Sequence, residues 1–134
     1  MSRPAFVTRI ATRWRDLDTY NHVNNSLFLT YLEEARIAWF ESLPGPWRTA
    51  EAEPLLASAQ IHFRAPIPHP SLLNIRLMTA RIGNSSLTLD HEIRDEHGGL
   101  HADGHTVMVW VRPDTGRPTA LPELIRHAAA ALLA

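Results

Sequence analysis

The sequence predicts an α+β domain in which one curved antiparallel sheet wraps around a single long helix, with a short helix at the C-terminus. Three observations lead there. Apolar residues recur at helical spacing over 27–40, four later stretches alternate apolar and polar residues, and mostly short turns join those stretches. A run of strands after a buried helix indicates α+β rather than an alternating fold.

Residues 6–14 open the chain as a half-buried strand, with Phe6, Ile10 and Trp14 on one face and Arg9 and Arg13 on the other. A polar segment follows, RDLDTYNHVNNS (15–26), and then Leu27, Phe28, Leu32, Ala35 and Trp39 trace a helix. Asn24 or Asn25 suits the N-cap, because an asparagine oxygen accepts a free first-turn N–H. Pro44-Gly45-Pro46 ends the helix. It is apolar around most of its circumference, so it is expected to be largely buried.

Beyond a loop at 44–53 the period changes to two. Leu55, Ala57, Ala59, Ile61 and Phe63 alternate with Ser58, Gln60, His62 and Arg64. Residues 65–70 break the strand with three prolines. Leu73, Ile75 and Leu77 mark the next strand over 72–82, and Leu87, Leu89, His91 and Ile93 the one after a turn at 82–85. His97-Gly98-Gly99 signals a hairpin. The last strand, 100–112, is apolar on both faces near Thr106–Val111, so it is central or at a subunit contact. Pro122 suits the start of the terminal helix. An open sheet leaves bare edges, which pairing between subunits covers.

The chain's 134 residues make one domain spanning 1–134. A net charge of −1 gives no electrostatic footprint for nucleic acid or an anionic membrane surface. No window approaches the roughly 20 apolar residues of a membrane span, and the N-terminal stretch has no apolar run of signal length; a cytoplasmic location is expected. With no cysteine there is no disulfide, thiolate metal site or cysteine nucleophile. His101 and His105 invite a metal reading, but residues four apart along a strand lie about 13 Å from one another. No metal site is expected.

The polar segment and the helix after it resemble the hotdog-fold acyl-CoA thioesterases, in the 4-hydroxybenzoyl-CoA thioesterase-like branch. Asp16, Asp18, His22-Val23-Asn24-Asn25, Tyr31, Glu33 and Arg36 fall on that family's D-x-D-x-x-G-H-V-N-N-x-x-Y-x-x-Y-x-E-x-x-R signature. Phe28 stands at the first tyrosine position, and Asn21 replaces the glycine, a residue that tolerates positive φ better than most. Further echoes occur at His62–Pro66, Ile82–Leu87 and Thr115–Pro118. The glycine-aspartate pair that commonly follows the Arg-x-Pro element is replaced by His69-Pro70-Ser71.

The resemblance implies a hotdog fold and hydrolysis of an acyl-CoA thioester, with water as the co-substrate and no cofactor. It implies Asp18 as general base or nucleophile, His22 in a supporting role, and the Asn25 backbone N–H at the helix start polarising the thioester carbonyl. A helix N-terminus suits that task because its first N–H groups lack intrahelical partners and carry partial positive charge. Arg64 is a candidate for a coenzyme A phosphate and Ser86 for the pantetheine arm. The family also implies a homodimer or homotetramer with the acyl site between subunits.

Other readings stay open. Asp16 is expected to be structural or solvent-facing, Tyr31 and Trp39 to be core, and Glu33 and Glu34 to form a polar stripe or an ion pair beside Arg36. An acyl-carrier-protein thioesterase, a hotdog dehydratase and a non-catalytic acyl-CoA-binding module are the alternative functions.

Overall fold

A computed structural model describes residues 3–134. Its elements are β1 (Phe6–Ala11), a 3₁₀ turn (Trp14–Asp16), α1 (Ser26–Glu41), β2 (Glu53–Phe63), β3 (Leu72–Ile82), β4 (Ser86–Asp95), β5 (Leu100–Val111) and α2 (Glu123–Ala130). The strands form one antiparallel sheet in the order β1-β3-β4-β5-β2. The α+β architecture expected from the alternation is the one observed, and β5 is interior, as its two apolar faces require.

Period-two patterning sets the register. Ile75 pairs with Ile93, and Ile93 in turn with Ala102, so one sheet face is continuously apolar. Leu73, Ile75, Leu77, Leu87, Leu89, Ala102, Met108 and Trp110 on that face pack with Phe28, Tyr31, Leu32, Ala35, Trp39 and Phe40 of α1. Burying each large apolar side chain contributes roughly 1.5–3 kcal/mol. At Gly104 an added Cβ would run into the Gln60 carbonyl of β2, so only glycine keeps those two strands paired there. α2 closes the far end, where the Thr79 hydroxyl donates to the Ala129 carbonyl at 2.7 Å.

Two expectations are corrected. The first strand stops at Ala11 rather than 14, and Trp14 is 79% exposed instead of facing the core. The cause is local: the Thr12 N–H donates to Ser71 O, and Asp16 accepts the Arg13 N–H and guanidinium, turning the chain into the 3₁₀ segment. Nor is α1 buried all round. Leu29 and Ile37 are exposed on one flank, and Glu33 between them shares it at four-residue spacing. Ile37 and Glu33 look towards β2, an edge strand whose Leu55, Leu56 and Phe63 are also exposed.

Candidate active site

The loop from Asp16 to Asn25 is built from the inside outward. Asp16 is 2% exposed and accepts the Tyr31 hydroxyl at 2.6 Å, the Arg13 N–H at 3.0 Å and the Arg13 Nε at 3.2 Å. Burial pushes its carboxyl pKa up, but these donors outweigh it and hold the group below the ordinary carboxylate range. Burial and the facing carboxylate in turn push the Tyr31 phenol well up. The Asp16 carbonyl also accepts the Asn24 N–H at 2.8 Å. Asp16 is thus the structural aspartate, and it anchors the helix start.

Two residues on, the chain doubles back. The Asp18 N–H donates to His22 O and the Asn21 N–H to Asp18 O, both at 3.0 Å, with Leu17 and Val23 bridged behind. Asn21 takes φ 63°, the left-handed conformation the turn demands at the position where the resembled family has glycine. The Asp18 carboxylate is half-buried, and among the described residues its Oδ1 accepts only the Tyr20 N–H, at 2.9 Å.

At the helix start the N–H groups can be accounted for individually. Ser26 N–H donates to Asn24 Oδ1 at 3.0 Å, Leu27 N–H to Asn24 O at 2.9 Å and Phe28 N–H to Asn25 O at 3.2 Å. The Asn24 side chain is therefore the cap, while Asn25 occupies the N-cap position without a side-chain capping bond. Among the described residues the Asn25 N–H is left without a partner.

Asp18, His22 and Asn25 line one cavity of about 350 Å³, together with Phe28, Phe63 and Arg64. The His22 imidazole is exposed and makes no hydrogen bond to Asp18. Arg64 reaches the cavity but is also engaged, with Nη2 3.0 Å from Asp103 Oδ1. Phe28 and Phe63 meet edge to face at 5.0 Å and 73°, forming an apolar wall. Spacing alone had marked Phe28 as core, and only the sheet's placement shows Phe63 opposite it. Ser86 does not join this group. It pairs with Val109, whereas Phe63 pairs with Ala102, so within one chain it lies about 23 Å along β5 from the cavity end.

The wall beside Arg64 is fixed by a second buried group. His101 places Nδ1 3.0 Å from Pro66 O and Nε2 2.8 Å from Asp95 Oδ2. Its backbone carbonyl also accepts the Arg64 N–H at 2.8 Å. Nδ1 and the backbone carbonyl thereby hold the 64–66 segment, while Nε2 ties the ring to Asp95.

The sequence profile of the thioesterase-like superfamily matches residues 12–129. The chain belongs to that superfamily. It is 31% identical to the long-chain acyl-CoA thioesterase FadM of Escherichia coli over 90% of this chain and 93% of that protein. In structure it is similar to the PA2801 protein of Pseudomonas aeruginosa, with TM-score 0.85 and 39% identity over 91% of this chain and 95% of the other. The 1,4-dihydroxy-2-naphthoyl-CoA thioesterase of Synechocystis shares the fold, with TM-score 0.86 at 22% identity over 94% and 96% of the two chains. The architecture is the hotdog fold, and the protein is a thioester hydrolase. Among the described residues no helix is long and apolar enough to cross a membrane.

Proposed function

We propose that the protein hydrolyses an acyl-CoA thioester at the cavity formed by Asp18, His22 and Asn25. One observation carries this reading. Asn25, whose N–H has no partner among the described residues, and the half-buried Asp18 line the same 350 Å³ space.

In the reaction, the thioester oxygen accepts the Asn25 N–H, where the positive end of α1 adds to the field. Asp18 takes a proton from water as the water oxygen attacks the carbonyl carbon. The tetrahedral oxyanion then collapses, the C–S bond breaks, and the proton on Asp18 passes to the departing thiolate. Direct attack by Asp18 would instead give a mixed anhydride that water opens; single turnover in ¹⁸O-water separates the two, because only the second labels Asp18's carboxylate on hydrolysis at that carbon. His22 orients the thioester from the cavity mouth, and Arg64 meets coenzyme A phosphate there. A second copy pairs along the bare edge of β2 to give a dimer, which brings a neighbour against the open flank of α1.

Thiol release should be followed over acyl-CoA and acyl-carrier-protein thioesters. Turnover of CoA thioesters by wild type, lost in Asp18→Asn, is the expected result. Equal rates in the two proteins would remove Asp18 from the mechanism. Faster turnover of carrier-linked substrates would reassign the carrier, and tight binding without turnover would leave an acyl-CoA-binding protein.

A further inference from the structure

A second cavity, of about 320 Å³, lies between the C-terminal half of α1 and β2, lined by Arg36, Ile37, Phe40, Leu56 and Met108. Its floor is apolar, Glu33, Arg48 and Glu53 stand at its edge, and Arg36 is the charged group at its inner wall. Arg36 is only 6% exposed, and its Nη1 is fully buried with no hydrogen-bond partner among the described residues. Glu33, on the exposed flank, favours its charge against that burial, yet the two form no ion pair. Arg48 and Glu53 at the rim already pair with one another at 3.6 Å. Near Arg36, neither ring nitrogen of the buried His91 has a partner among the described residues.

A buried guanidinium with open donors is costly unless an acceptor reaches it. The geometry points to Arg36 as a receptor for an oxygen-bearing distal end of the acyl group, a terminal carboxylate or hydroxyl. This rests on the proposed hydrolysis at Asn25, because the two cavities lie along the same α1–β2 seam. Eleven residues of helix separate Asn25 from Arg36, about 16 Å at 1.5 Å per residue. An extended chain advances roughly 1.2 Å per bond, so about twelve to fourteen atoms span the gap. The carboxylate would meet the planar guanidinium with two parallel hydrogen bonds; a methyl terminus would leave those donors empty.

The test compares CoA thioesters of about twelve to fourteen carbons ending in methyl, hydroxyl or carboxylate. Wild type should favour the carboxylate over the methyl terminus in kcat/KM by about tenfold or more, with the hydroxyl between, as charge-assisted bonds imply. Arg36→Leu should collapse that ratio, and Arg36→Lys, with a single-point charge, should recover part of it. Equal kcat/KM for the three termini in wild type, or a preference that survives Arg36→Leu, would overturn the inference. So would restoration of a dissociated dimer by pairing Arg36→Glu with Glu33→Arg, which would assign Arg36 to a neighbouring copy. Calorimetric binding of the matching non-hydrolysable thioethers makes the same comparison without turnover. Absence of all turnover therefore counts against the hydrolytic reading alone, while the binding ratio still decides Arg36.

Discussion

The two ends of α1 treat their buried polar groups in opposite ways. Beneath the first turns, Asp16 is surrounded by donors from Tyr31 and Arg13, and its own backbone holds Asn24. Three turns later Arg36 and His91 are also buried, yet among the described residues Arg36 Nη1 and both His91 nitrogens have no partner. The first arrangement is complete within the chain and serves as a scaffold. The second is left by the described residues to neutralisation or to an acceptor beyond them. A chain that satisfies one buried charge so fully and leaves another open at the wall of a cavity separates a structural device from a receptive one.

The largest effect is expected from breaking the finished end. Asp16→Ala leaves the Tyr31 hydroxyl and the Arg13 donors without their acceptor, and should lower the unfolding free energy by about 3 kcal/mol or more, measured in urea. Activity should fall with it, since Asn24 and the Asp18 turn are tied to the same backbone. Because the folded pKa of Asp16 lies below its unfolded value of 3.8, its contribution is complete above that value and fades as pH falls through the folded pKa. Asp18→Asn, two residues away, should separate the properties: kcat/KM falls by about 10²-fold or more while the urea midpoint stays in place. A matching loss of stability would mean that both aspartates are structural.

These two aspartates also show where sequence reading reaches its limit. Asp18, His22 and Asn25 lie within eight consecutive positions, so a local motif could nominate them, and strict alternation marked β3 with its observed ends. Which aspartate faces the cavity depends on Tyr31, fifteen residues downstream, and on burial, which periodicity does not encode. Arg36 was obscured for a related reason. Glu33 at three-residue spacing suggested an ion pair, but the helix turns Arg36 inward while Glu33 stays in solvent. Ser86 followed from a resemblance along the chain, whereas its separation from the cavity comes from the pairing of β4 with β5.

At the unfinished end, neutralisation is the remedy for His91. Burial, reinforced by nearby Arg36, pushes its pKa down to about 4 from 6.5. The unfolded chain therefore takes up a proton below pH 6.5 that the folded chain refuses until about pH 4, and stability declines as pH falls through that window. Between pH 7 and pH 5 wild type should lose about 2 kcal/mol more than His91→Leu. Equal losses would mean that the imidazole is protonated in place, with an acceptor close by. A smaller effect returns to the first region: Tyr31→Phe removes one of the donors to Asp16 and should cost about 1 kcal/mol, leaving Asp18-dependent turnover largely intact.

The smallest change in stability is expected where the chain gives Arg36 nothing to lose. Removing one member of a satisfied buried pair strands the other, but removing a charge that has no partner strands nothing and ends its desolvation cost. Arg36→Leu should therefore leave the unfolding free energy unchanged or raise it by up to about 1 kcal/mol, since leucine fits the apolar lining of Ile37, Phe40 and Met108. Measured beside Asp16→Ala at one protein concentration, the two substitutions should differ in sign or by most of the larger effect. A loss near 3 kcal/mol for Arg36→Leu that does not vary with protein concentration would place an acceptor for the guanidinium inside the same chain, and the contrast between the two ends of α1 would disappear. A loss that grows on dilution would instead place the acceptor on a neighbouring copy, because only a partner's contribution follows mass action.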